Sequence, residues 1–245
     1  MTERAIKVIT FDLDNTLWDV EPVLLKAEQV QYEWLATNRP RVIREFDKTG
    51  LRDLRVRTLK AHPELAHHIS ELRRQALYDV QVHCGYPEAQ ARQGALEAFE
   101  RFLEVRHQVE PYERALEVLE ELAESYVLGA LTNGNADVFK VGIGEHFDFA
   151  FSAEQLGASK PLPEMFQAGM QASGAAGNEI VHVGDNPEHD ILGAQQVGMH
   201  TVWMNMANAE WPGGPPADEE IRHLEELPAA IARIDSEARS QAEAG

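Results

Sequence analysis

Asp12 and Asp14 flank a single leucine in FDLDNT, directly after the apolar stretch VIT. On an extended strand, residues two apart share a face, so the two carboxylates would emerge side by side. At ~4 Å two like charges repel by about 4 kcal/mol at an effective dielectric of ~20; the pair needs a cation, a shared proton or a turn that separates its members. Three other places carry polar residues in a similar setting. Thr132, Asn133 and Gly134 follow YVLGAL, Lys160 sits in SKPLP, and Asp185 and Asp190 lie in GDNPEHD after EIVHV. Taken singly, each has a purely structural reading. An aspartate after a strand turns or caps the chain, Thr-Asn-Gly is a turn tripeptide, and Lys160 is a solvated lysine. Taken together, they describe a phosphate site. A hard cation such as Mg2+ takes oxygen ligands, which Asp12, Asp185 and one backbone carbonyl would supply. The Thr132 hydroxyl, the amides after it and Lys160 would hold the nonbridging phosphoryl oxygens.

Such residues need elements that carry them to one edge. Residues 5–11 read as a strand, and the next hundred residues show helical periodicity instead. Val20, Val23, Leu24, Ala27, Val30, Trp34 and Leu35 form one apolar stripe; Ile69, Leu72, Ala76, Leu77 and Val80 form a second; Leu96, Phe99, Phe102 and Leu103 form a third. From Pro111 the pattern alternates: a helix over 112–124, strand YVLGALT, a short helix near 136–144, a strand near 148–152 and a helix near 163–173. Strand EIVHVG, helix ILGAQQVG and strand HTVWM follow. The alternation predicts an α/β fold, a doubly wound, Rossmann-like parallel sheet that the first strand must join. Residues 1–18 and 109–235 then form the core, 19–108 an inserted all-helical lid over one end of the sheet, and 236–245 a flexible tail after a short helix within 218–235. In such sheets, ligands bind beyond the carboxyl ends of the strands, where the polar residues above fall.

Composition narrows the function. With 22 basic and 41 acidic residues the net charge is −19, which argues against nucleic acid and anionic membrane surfaces as partners. An anionic substrate needs local cations to reverse that field. The single cysteine, Cys84, excludes an intrachain disulfide and a thiolate metal cluster, which fits a reducing cytoplasm. The charged MTERAIKVIT does not read as a signal peptide. DLDNTLWDVEPV fails as a calcium loop because Leu17 stands where glycine is required and Val23 where a bidentate glutamate is. GIGEHF lacks the third glycine of a dinucleotide fingerprint, and no GxxxxGK occurs.

FDLDNT, LTNGN, SKP and VGDNPEHD, in that order, resemble the four motifs of the haloacid dehalogenase-like superfamily over residues 6 to about 205. The insertion after the first motif is similar to the helical cap of its first subclass. The resemblance implies a five- or six-stranded parallel core with the cap closing over the active site. It also implies that Asp12 is a nucleophile forming an aspartyl-phosphate and that Asp14 is the acid and base, its carbonyl a third Mg2+ ligand beside Asp12 and Asp185. Asp190 would act behind the ligands or on Lys160, while Thr132, Asn133, Gly134 and Lys160 would bind the phosphoryl group. Both aspartates of the first motif favour phosphate ester hydrolysis over carbon–halogen cleavage, which has no need of a leaving-group acid. FDLDNTLWD with LTNGNA looks most like bacterial phosphatases acting on phosphoribitylaminouracil and FMN, with Trp18 as an aromatic wall for a planar heterocycle. Phosphoglycolate, sugar phosphates and nucleotides stay open as substrates, as do a phosphoryl transferase or a catalytically silent module, and a monomer or a homodimer.

Overall fold

The structure is a computed structural model and describes residues 4–244. It holds a six-stranded, wholly parallel sheet of β1 (Val8–Phe11), β2 (Val127–Thr132), β3 (Phe149–Ser152), β4 (Ile180–Gly184), β5 (His200–Met204) and β6 (Glu219–Ile221), in the order β3-β2-β1-β4-β5-β6. β1 is central, and all four of its residues are buried, as expected of a parallel strand with helices on both faces. Its register sets Thr10 beside Gly129 on one side and His182 on the other. The strand order reverses direction around β1, which opens the ligand crevice of doubly wound sheets beyond its carboxyl end.

The chain divides into two compact units. Val20–Val109 is all helical, with α1 (Val20–Asn38), α2 (Pro40–Glu45), α3 (Lys48–Ala61), α4 (Ile69–His83) and α5 (Glu88–Arg106). Its core joins Ala27 and Leu35 of α1 to Leu77 and Val80 of α4 and Ala98, Phe99 and Phe102 of α5, with Trp34 packed against the cluster. Everything up to Asp19 and from Glu110 onward forms the sheet unit. Its helices are α6 (Ala115–Ala123), α7 (Val138–Val141), α8 (Ala153–Leu156), α9 (Pro163–Ser173), α10 (Gly193–Gln196) and α11 (Leu227–Ala244). α9 begins on Pro163 and stops at Gly174, whose φ of 70° is the left-handed conformation that closes a helix. Met165 and Phe166 of α9 pack with Leu131 and Ile180 against the sheet.

Three expectations differ from the structure. The region 218–235 opens with β6, which pairs with β5, before α11 begins at Leu227. α11 continues through the supposed flexible tail to Ala244, its run of Ala, Arg, Gln and Glu being strong helix formers; residue 245 lies outside the described residues. A wide, π-type helical stretch over Pro187–Leu192 takes in the first two residues of ILGAQQVG, so the helical segment starts inside the acidic motif. Among the described residues no helix is long and apolar enough to cross a membrane.

Candidate functional site

The Asp12 N–H donates to Val183 O at 2.8 Å, which extends the β1–β4 pairing by one residue and fixes Asp12 at the crevice, 7 % exposed. Leu13 packs back into the core, 1 % exposed. A tight turn follows: Asn15 adopts a left-handed φ of 64°, a region asparagine tolerates, and its N–H donates to Trp18 O at 2.7 Å. The turn returns Trp18 Nε1–H to Asp14 Oδ1 at 2.8 Å. Trp18 is fully buried, so it offers no open ring face to a ligand, contrary to its reading as an aromatic wall; its indole orients Asp14.

At the end of β2, buried Thr132 accepts the Gly134 N–H on its Oγ1 at 2.9 Å, leaving the hydroxyl proton to donate. Asn133 departs from expectation. Its Oδ1 accepts from Lys160 N at 2.8 Å and its Nδ2 donates to Lys160 O at 2.9 Å, so the side chain clasps the Lys160 backbone and is spent there rather than on a phosphoryl group.

Lys160 Nζ, 2 % exposed, donates to Asp12 Oδ1, to Leu131 O and to Asp190 Oδ1, each at 2.6 Å. Its three donors are therefore all used. Burial alone would push this lysine down, but the two carboxylates outweigh it and hold the ammonium charged. Asp190 gathers further donors: Asn186 N–H at 3.0 Å and His182 Nε2 at 3.4 Å. Burial would raise its carboxyl, and Lys160 and His182 instead hold it well below the usual range. Gly184 makes this possible, since a Cβ there would lie 2.3 Å from Asp190 Cγ.

Sequence reasoning missed His182 and Thr10. Thr10 Oγ1 and His182 Nδ1 are 2.9 Å apart on paired positions of β1 and β4, and the imidazole stands edge-on to Phe166. Burial keeps His182 below its ordinary value, hence neutral, with Nε2–H toward Asp190 and Nδ1 accepting from Thr10. A lone histidine inside an otherwise apolar central strand was the available signal. The result is a buried relay from Thr10 through His182, Asp190 and Lys160 to Asp12.

Oxygens of Asp12, Asp185 and Asp190 lie within 4.8 Å of one another. Burial and the neighbouring Asp190 push Asp185 up to about 6, and burial with the same acidic neighbours also raises Asp12 despite Lys160. One ammonium thus leaves negative charge uncompensated, and carboxylate oxygens suit a hard divalent cation. Asp190 is already committed to Lys160, His182 and Asn186, which leaves Asp12 and Asp185 as the carboxylates with ligand atoms to give.

Comparisons with known proteins agree with this arrangement. The haloacid dehalogenase-like hydrolase family matches residues 6–198. A 5-amino-6-(5-phospho-D-ribitylamino)uracil phosphatase from Escherichia coli is 31 % identical over 84 % of this chain and 86 % of its own length. A phosphoserine phosphatase from Thermus thermophilus is 31 % identical over 54 % of this chain and 55 % of its own. A crystal structure described as a 2-haloacid dehalogenase from Pseudomonas syringae is 41 % identical, with a TM-score of 0.89 over 93 % of this chain and 99 % of that one. With its motifs converging on one sheet edge and the family match spanning most of its length, the chain belongs to the haloacid dehalogenase-like hydrolases.

Proposed function

We propose that the protein is a Mg2+-dependent phosphatase that hydrolyses a small-molecule phosphate monoester through an aspartyl-phosphate on Asp12. The observation that carries this reading is the joint presence of Asp12, Lys160, Asp185 and Asp190 at one strand edge, with acidic oxygens within 4.8 Å. Asp12 Oδ attacks phosphorus in line, the bond to the leaving oxygen breaks, and Asp14 donates a proton to that oxygen. Asp14 then takes a proton from water, which attacks phosphorus and frees Asp12 and inorganic phosphate. Asp12, Asp185 and the Asp14 carbonyl would hold Mg2+, which supplies charge neutralisation for the phosphoryl oxygens. Thr132 donates its hydroxyl, Lys160 balances Asp12, Asp190 holds Lys160, and Asn133 acts through its clasp on the Lys160 loop. The helical unit is the cap, the single cysteine keeps the cytoplasm as the setting, and the Escherichia coli relative makes 5-amino-6-(5-phospho-D-ribitylamino)uracil the leading substrate, with FMN beside it from the resemblance of the motifs.

The test is release of phosphate from p-nitrophenyl phosphate and from a panel including FMN, phosphoserine and sugar phosphates. Turnover should require Mg2+ and vanish in EDTA; undiminished turnover in excess chelator refutes the metal assignment. The likeness to the Pseudomonas syringae structure supports a second reading, 2-haloacid dehalogenation. Halide leaves without a proton, so that reading gives Asp14, oriented by Trp18, no task. Chloride release from 2-chloropropionate without phosphatase activity would establish it instead.

A further inference from the structure

α1, α3 and α4 of the helical unit line a cleft that is open to solvent. Its walls are apolar where Leu51, Leu54 and Leu77 face it. Its polar lining is strongly one-signed: Lys48, Arg52, Arg55 and Arg73 against the single carboxylate of Glu28. In a chain of net charge −19, this is a local reversal of the field. Glu28 is already occupied, since Arg52 Nε donates to Oε2 at 2.7 Å and Arg55 Nη2 to Oε1 at 2.8 Å.

Arg73 is the unusual member. Its side chain is 13 % exposed, and its nearest carboxylate oxygen among the described residues, Glu28 Oε1, is 3.7 Å from Nη1, beyond hydrogen-bonding distance. The guanidinium stacks at 3.7 Å over Phe102, which accounts for one face of the ion but none of its N–H donors. Burial and the adjacent Arg55 pull it down to about 9, which marks a cation short of compensating charge. Buried guanidinium groups are ordinarily paired at hydrogen-bond distance, and Arg73, which lines the cleft, has no such carboxylate partner among the described residues.

We propose that this cleft binds a small organic anion, its carboxylate or phosphate head on Arg73 and Arg55 and its apolar body against Leu51, Leu54 and Leu77. The site belongs to the helical unit alone and shares no residue with the aspartate cluster, so it does not depend on the phosphatase reading.

The full chain, methyl-labelled at leucine, is titrated with benzoate and with phenylphosphonate, and with neutral benzyl alcohol as control. Saturable shifts confined to Leu51, Leu54 and Leu77 are expected, with a dissociation constant of about 1 mM or tighter. Benzoate alone binding identifies a carboxylate head, phenylphosphonate alone a phosphate head, and both a site that reads charge rather than head shape. Arg73→Gln should weaken the anions by about tenfold or more, the scale of one charge-assisted contact. If that variant does not fold, the more exposed Arg55→Gln should weaken them several-fold. Absence of shifts at those methyls, unchanged affinity in the arginine variants, or benzyl alcohol binding as well as the anions overturns the proposal.

Discussion

Replacing Asp185 with asparagine should make the metal-free protein more stable, and increasingly so as pH rises. The native state holds this carboxyl at about 6 instead of the usual 3.8, because burial and Asp190 oppose its ionisation. A carboxyl raised in the folded state contributes stability that is complete below the unfolded value and lost as pH climbs through the folded one. The shift of about 2 units, at ~1.4 kcal/mol each, amounts to ~3 kcal/mol, and partial solvent access trims this to about 2–3 kcal/mol. Wild type and Asp185→Asn should therefore unfold at similar urea concentrations in EDTA near pH 4. They should diverge between about pH 4 and 6, and above that the variant should lead by about 2–3 kcal/mol. Comparing the two proteins cancels the titration of acidic groups away from the site, and Asp12, which Asp185 helps to raise, changes in the same direction. Mg2+ at ~100 times its dissociation constant should return about 2.7 kcal/mol to the wild type at pH 8 and little to the variant. A variant less stable than wild type at pH 8 in EDTA, or equal stabilisation of both by Mg2+, would refute the account of Asp185 as a carboxylate strained by missing cation charge.

Asp12→Asn should lower kcat by at least ~10³-fold, since it removes the proposed nucleophile; near-normal turnover would place the nucleophile elsewhere. Asp14→Asn keeps an oxygen for Trp18 Nε1 and should slow alkyl phosphates far more than p-nitrophenyl phosphate, whose leaving group needs little protonation; equal losses argue against a leaving-group acid. His182→Phe keeps the edge-on packing on Phe166 but leaves Thr10 and Asp190 each short of a partner, costing about 1–3 kcal/mol in urea unfolding, and an unchanged midpoint would deny the relay. Gly184→Ala should destabilise by about 1–3 kcal/mol by driving a methyl into Asp190, measurable as a lowered Tm.

Much of the frame was legible because its signals are local. The apolar β-branched and aromatic runs at 8–11, 180–183 and 200–204 are strands, and the polar residues after the first two fall at the crevice because the sheet is parallel. The family resemblance is borne out by the comparisons. What escaped depends on how the chain turns and which segments it brings together. Trp18 looked available for a ligand, and only the turn at Asn15 shows its indole returning to Asp14. Asn133 looked like a phosphate-facing turn residue, and only its closure on a loop 27 residues away shows both ends of its amide in use. β6 is three residues with two glutamates, a composition that signals a strand only once β5 is beside it.

The crowding around Lys160 has a consequence for chemical reactivity. Amine-directed reagents need an accessible, deprotonated nitrogen, and this one is charged, 2 % exposed and held by three oxygens. It should be the last lysine of the chain to acquire a label, modified only when the loop it anchors detaches. Its labelling rate would then follow the opening of that edge of the sheet, and so supply a clock for local unfolding that needs neither substrate nor metal.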